Sequence, residues 1–222
     1  MHVILTINER LMKKILVFLL LFTGVVAAYA QTPYCCVTKG AELTYTDYNA
    51  KGKETGTTTN VFKEVKMISD KDYDVVMETT VNAGGTETTV ETAMEVRNGE
   101  AMISMGQGSI DLTATDPELL RIPNKLAVGY KLPLGEMIVD LGGIRVKSTI
   151  TENEVVDREE ITTPAGTFKC YVVKQTSSGR VMGIKSETTL KIWYARGIGQ
   201  VKMETYSKGE LFSTSVLTSM KM

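Results

Sequence analysis

Residues able to do acid–base or nucleophilic work are scarce in this chain, and those present are spaced like strand faces. The one histidine is His2, so nothing beyond the first few residues can assemble a Ser-His-Asp or Cys-His pair or an imidazole zinc site. Proton transfer near neutral pH would fall to a perturbed carboxylate, lysine or tyrosine. Paired carboxylates could support glycoside hydrolysis. Glu87, Glu91 and Glu95, however, alternate among threonines as the solvated face of a strand does. Asp70-Lys71-Asp72-Tyr73-Asp74 begins with the alternate-acid spacing of a calcium loop, but Val75 stands at the glycine position and Val81 at that of the bidentate glutamate. A solvated turn is the expectation there. Gly106-Gln107-Gly108 and Gly142-Gly143 precede no helix and cradle no phosphate. No catalytic residue, metal site or cofactor is expected, and the chain is expected not to be an enzyme.

Sulfur and aromatic residues offer binding chemistry instead. Ten of the 12 methionines follow position 30, and flexible thioethers suit a pocket that adapts to apolar ligands as well as they suit an ordinary core. Met94, Met102 and Met105 are the candidates for such a lining. Trp193 and Tyr194 are candidates for stacking on a ligand, with core packing the competing role for at least one. Cys35 and Cys36 are adjacent, and Cys170 lies far along the chain. A Cys36–Cys170 disulfide would pin the N-terminal segment to the rest. Equally, Cys170 alternates with Phe168 and Val172 on one strand face, where a free buried thiol is ordinary.

The elements that must position these residues are strands. Short Thr- and Val-rich segments alternate with Gly, Asn and Lys-Gly turns, and the helical period is nearly absent. Strands are predicted over 42–48, 60–69, 73–81, 86–97, 101–105, 144–151, 154–162, 167–175, 184–194, 199–206 and 211–219. Asn98-Gly99 and Lys208-Gly209 are two-residue hairpin turns, while 82–85 and 177–179 read as slightly longer connections. Leu190, Ile192 and Tyr194 point one way, Lys191 and Trp193 the other. In the last strand Phe212, Val216 and Met220 share an inward face with Thr214 and Thr218. Asp116-Pro117 caps the best helical turn. So many strands without crossover helices exclude a parallel α/β sheet. The expected fold is all-β, a large curved antiparallel sheet forming a partly open β-barrel, or half-barrel, with at most one or two short helices.

The first 30 residues read differently. Lys13 and Lys14 precede an apolar run over 15–21, and Ala28-Tyr29-Ala30 ends the segment with small residues. These are the parts of a cleavable secretory signal, with cleavage after Ala30 and Met12 as the natural start. Cys35 follows Gln31-Thr32-Pro33-Tyr34, and Tyr34 is too large for the position before a lipid-bearing cysteine. The expected organisation is leader 1–30, N-terminal segment 31–40 and one all-β domain 41–222. The chain has 25 basic and 26 acidic residues, and loses Arg10, Lys13, Lys14 and Glu9 with the leader. The small negative balance left calls for neither nucleic acid nor an anionic membrane as partner, and any membrane contact would be peripheral.

Two stretches carry a family likeness. Ile161-Thr162-Thr163-Pro164-Ala165-Gly166-Thr167-Phe168-Lys169-Cys170-Tyr171 resembles a TxPAGTF strand entry. Lys191-Ile192-Trp193-Tyr194-Ala195-Arg196-Gly197-Ile198-Gly199-Gln200-Val201-Lys202 resembles a WYA-x-G-x-G-x-V strand pair. In that order they resemble the exported bacterial proteins with a YmcC-like fold, the TapB-like family, over about residues 40–222, with 123–133 as its middle section. The resemblance implies a twisted, partly open β-barrel without established catalytic residues, in a family that includes lipoproteins. The functional expectation is an exported, periplasmic or outer-envelope binding module, soluble after cleavage, for an apolar or glycan-derived ligand or an envelope protein. A structural or adhesive β protein acting through its edges is the alternative, and a histidine-free carboxylate hydrolase the third.

Overall fold

The computed structural model describes residues 32–104, 110–114, 116–141, 144–181 and 184–222, and the expected leader, the 106–108 segment and the 142–143 pair lie outside them. Residues 33–222 form one compact unit. Along the chain come β1 (Glu42–Asn49), β2 (Glu54–Met67), β3 (Tyr73–Ala83), β4 (Thr86–Arg97), β5 (Glu100–Ser104) and β6 (Ile110–Ala114). A 3-10 turn (Pro117–Leu120) leads into the two-residue β7 (Arg121–Ile122). Then follow β8 (Gly135–Leu141), β9 (Ile144–Thr163), β10 (Gly166–Val181), β11 (Ile184–Ala195), β12 (Gly199–Ser207) and β13 (Glu210–Lys221).

All 13 strands belong to one antiparallel sheet in the order β6-β8-β9-β10-β11-β12-β13-β1-β2-β3-β4-β5-β7. Pairing of β1 with β13 joins two meanders, and the result is the curved all-β half-barrel the sequence implies. The sheet does not close by hydrogen bonding: β6 is one edge and β7 the other. These edges are consecutive in the chain, separated only by residues 115–120.

Hairpin chemistry sets the registers. Asn98 and Gly99 take φ 54° and 77°, Lys208 and Gly209 φ 53° and 83°. Those are the two successive left-handed residues of the turn whose twist matches antiparallel strands. The 3-10 turn has Asp116 as its cap, with Oδ1 accepting from the Glu118 N–H at 2.9 Å, and Pro117 at its start.

Three expectations change. Residues 144–163 form one strand, not two, so Asn153 sits mid-strand opposite Gln175. The Ser177-Ser178-Gly179 stretch continues β10 instead of turning, because Gly179 lets the strands approach: a Cβ there would lie 2.7 Å from the Lys147 carbonyl oxygen. Phe212 is 66% exposed. It is skipped where the β12–β13 register jumps from Thr205↔Ser213 to Tyr206↔Leu211, and a second jump at Thr44/Tyr45 makes Leu217 the fully buried residue of that strand. Strands β6, β7 and β8 were not anticipated.

The largest core cluster joins Leu43, Phe62, Val75 and Val96 to Cys36, Val172 and Leu217, and a smaller one gathers Tyr34, Leu126, Leu132, Val155 and Val173. The smaller cluster exists because the connection after β7 crosses to β9. Gly129 donates to the Val155 carbonyl, Leu132 to that of Asn153, and Val155 in return to that of Tyr130, all within 2.8–2.9 Å. Lys131 and Glu154 form an ion pair beside them.

Candidate functional site

Period-two alternation carries one face of each central strand into the concave side. Cross-strand partners Leu43↔Asn60, Tyr45↔Thr58, Phe62↔Met77 and Met77↔Thr92 share that face. So do Asp47↔Ser215 and Ser215↔Met203 from the other meander. All of them line a cavity of about 430 Å³, which Met94, Ile122 and Tyr194 complete. The size falls in the range of small-molecule sites, and the lining sets apolar Leu43, Phe62, Met77 and Met94 beside polar Asp47, Asn60, Thr92 and Ser215. A second cavity of about 210 Å³ lies beside it, and Ile122 and Tyr194 belong to both walls. The short edge strand β7 is therefore carried across the concave face toward β11.

Two phenols stand in the larger wall. Tyr45 donates to the Gln200 carbonyl at 2.9 Å, and burial, with Cys36 and Tyr194 near it, holds it neutral far above the usual tyrosine range. Burial alone pushes Tyr194 up to about 12, so at neutral pH it offers a hydroxyl and not a base. Among the described residues no protein group hydrogen-bonds that hydroxyl. Among the described residues Asp47 is the one carboxylate in either wall.

Of the residues singled out from sequence, the structure brings Tyr194 and Met94 together in the larger cavity. Trp193 points to the other face of β11. It is buried, its Nε1 donates to Glu159 at 2.8 Å, and the Lys202 ammonium lies 4.5 Å from its ring. Lys202 in turn pairs with Glu204 at 2.6 Å. That arrangement is packing and cation–π contact, with the ring turned away from the cavities. Met102 lies on β5 opposite Glu95 and Arg121 and lines neither cavity; Met105 lies outside the described residues.

All three cysteines are buried and free, so Cys36 and Cys170 are not bridged in this structure. Burial pushes the Cys35 and Cys170 thiols up to about 12, helped by Cys36 and by Glu159 respectively; burial also raises Cys36. Protonated, enclosed thiols are poor nucleophiles. The Asp70–Asp74 stretch is a turn clasp. Asp72 accepts from the Asn98 N–H and the Ser69 hydroxyl, each at 2.7 Å, and Asp74 pairs with Arg97 at 2.6 Å. Among the described residues no group of acids, cysteines or histidines is arranged to hold a metal ion.

Sequence reasoning missed Ile122, Asn153 and Gln175. Asn153 gave a signal of sorts: a strand-disfavoured residue between two good strands, read as a break when it marks a polar spot inside one long strand.

An open antiparallel half-barrel with an apolar hollow in its concave face defines the class. The chain belongs to the DUF3108-like family, whose profile matches residues 38–217. Two crystal structures are similar to it. One is a Bacteroides fragilis protein described as exported and of YmcC-like fold: 22% identity, TM-score 0.72, 86% of this chain and 100% of the other. The second is a Parabacteroides distasonis protein described as a lipoprotein: 22% identity, TM-score 0.72, 86% of this chain and 99% of the other. Among curated proteins none matches the sequence.

Proposed function

We propose that this chain is an exported cell-envelope protein that binds an apolar ligand, without catalysis, in the hollow of its half-barrel. The observation that carries the reading is the cavity of about 430 Å³ walled by Leu43, Phe62, Met77, Met94 and Tyr194, with polar groups such as Asp47, Asn60 and Ser215 among them. Export is supported by the signal-like first 30 residues and by structural neighbours described as an exported protein and a lipoprotein. A carboxylate hydrolase would need two acids in one cleft, and among the described residues the walls offer Asp47 alone.

Native mass spectrometry of the protein isolated from its own envelope, before and after organic extraction, tests the reading. An excess mass that extraction removes is expected. A clean apo mass from gently handled envelope, together with no uptake of apolar probes in vitro, would overturn it.

A further inference from the structure

The larger cavity carries its charge at one end. Along β1, alternation turns Leu43, Tyr45 and Asp47 onto the concave face, and all three line the cavity. At about 3.3 Å per residue the strand sets Asp47 roughly 13 Å from Leu43. Register gathers the apolar lining at the Leu43 end. Phe62 is the next inward residue beyond Asn60, the partner of Leu43, and Met77 and Met94 continue that way on β3 and β4. Asn60 interrupts them, but its side-chain oxygen already accepts from the Thr79 hydroxyl at 2.8 Å. The other end is polar: Ser215 is the cross-strand partner of Asp47, and Thr58 is the partner of Tyr45.

Asp47 is half-buried. Its backbone carbonyl accepts from the Thr55 hydroxyl, but among the described residues its carboxylate has no ion-pair or hydrogen-bond partner. Nor, among the described residues, does any lysine or arginine line this cavity. One unopposed charge in a concave wall of low dielectric sets the sign of the field inside. An anionic ligand would bring a like charge to that wall with no counter-ion to meet it. A wholly apolar ligand would strip water from one side of the carboxylate and return no hydrogen bond. A cationic donor meets both demands.

We infer that the larger cavity takes an apolar ligand whose one charged group is a protonated amine. The ammonium donates to the Asp47 carboxylate beside the Ser215 hydroxyl, and the hydrocarbon lies along the cavity toward Leu43, Phe62 and Met94. The inference rests on the binding role proposed above and adds the charge of the head group.

The test loads the solvent-extracted protein with N-phenyl-1-naphthylamine and displaces it with dodecylamine, 1-dodecanol or dodecanoate at about pH 8, where the amine is protonated. The three share one chain and differ in the charge of the head. The amine should displace the probe about tenfold more effectively than the alcohol, the step from a neutral to a charge-assisted hydrogen bond, with dodecanoate weakest. Asp47→Asn should bring the amine to within about twofold of the alcohol. If that variant fails to fold, salt supplies the second measurement on the unaltered protein. Raising it from about 0.02 M to about 0.5 M should cut the amine's advantage about threefold as the ion pair is screened. Equal displacement by amine and alcohol, preference for dodecanoate, or an advantage that the folded variant or high salt leaves intact overturns the head-group assignment and leaves the apolar site standing. No probe binding at all overturns both.

Discussion

The guanidinium of Arg196 lies 4.4 Å from the centre of the Tyr34 ring while its two terminal nitrogens hold Asn124, one on the side-chain oxygen at 3.2 Å and one on the carbonyl at 2.8 Å. One side chain thereby ties the N-terminal segment, the connection after β7 and the corner after β11. The tie continues on both sides. Tyr34 meets Tyr171 edge-on at 6.2 Å. Asn124 donates to the Asn98 carbonyl, and Asn98 in turn donates its N–H to Asp72.

Arg196→Lys keeps the charge but loses the planar fork, and should destabilise the protein nearly as much as Arg196→Ala, by about 1–3 kcal/mol. Urea unfolding of both variants measures it. A lysine variant with the unaltered midpoint would show that charge alone suffices.

Tyr194→Phe removes a hydroxyl with no partner among the described residues and should leave stability within about 0.5 kcal/mol. Tyr194→Ala empties the wall between the cavities and should cost about 3 kcal/mol. Absorbance titration of tyrosinate gives a second readout, because the phenylalanine variant should lose one phenol that ionises near pH 12. Loss of an ordinary phenol near pH 10 instead would show that Tyr194 is open to water.

Part of the acid sensitivity should lie in the turn clasp. The Asn98 N–H and then the Ser69 hydroxyl hold the Asp72 carboxyl below its ordinary 3.8. A carboxylate depressed in the folded state contributes stability above that ordinary value and loses it as pH falls through the depressed one. Between pH 7 and pH 3, the melting temperature of Asp72→Asn should therefore fall less than that of the unaltered protein. Parallel falls would remove the clasp from the account.

The thiols provide a direct check on the core. Native protein at pH 8 should take up no thiol reagent. Unfolded without reductant it should take up one label on each of Cys35, Cys36 and Cys170. A single label after unfolding would establish a disulfide after all.

Much of the half-barrel was legible because its cause is local. Thr-Val alternation, Asn98-Gly99 and Lys208-Gly209 each act within a few residues, so hairpins could be read in order. The opposite orientations of Trp193 and Tyr194 followed from the same period. What escaped was non-local. Strand β7 is only Arg121 and Ile122, placed by partners on β5. Phe212 is displaced outward by a register jump that depends on β12. Asn153 acquires its place only once β9 runs uninterrupted alongside β10. Of the site, Met94 and Tyr194 were in view because large apolar side chains on an inward face announce themselves. The amides were not, because an Asn or Gln in a strand is ordinary until its neighbours are known.

The two rims of the open sheet are joined by the chain itself. Strand β6 ends at Ala114 and β7 starts at Arg121, and the intervening stretch can reach roughly 25 Å at full extension. Drawn into its capped turn, it reaches less. The fold therefore carries a covalent tether across its own seam, and however the sheet flexes, the separation of its two rims there has an upper limit set by sequence length. Lengthening that tether by a few residues would let the two rims part further, and would also loosen Leu119 and Leu120, which line the smaller cavity.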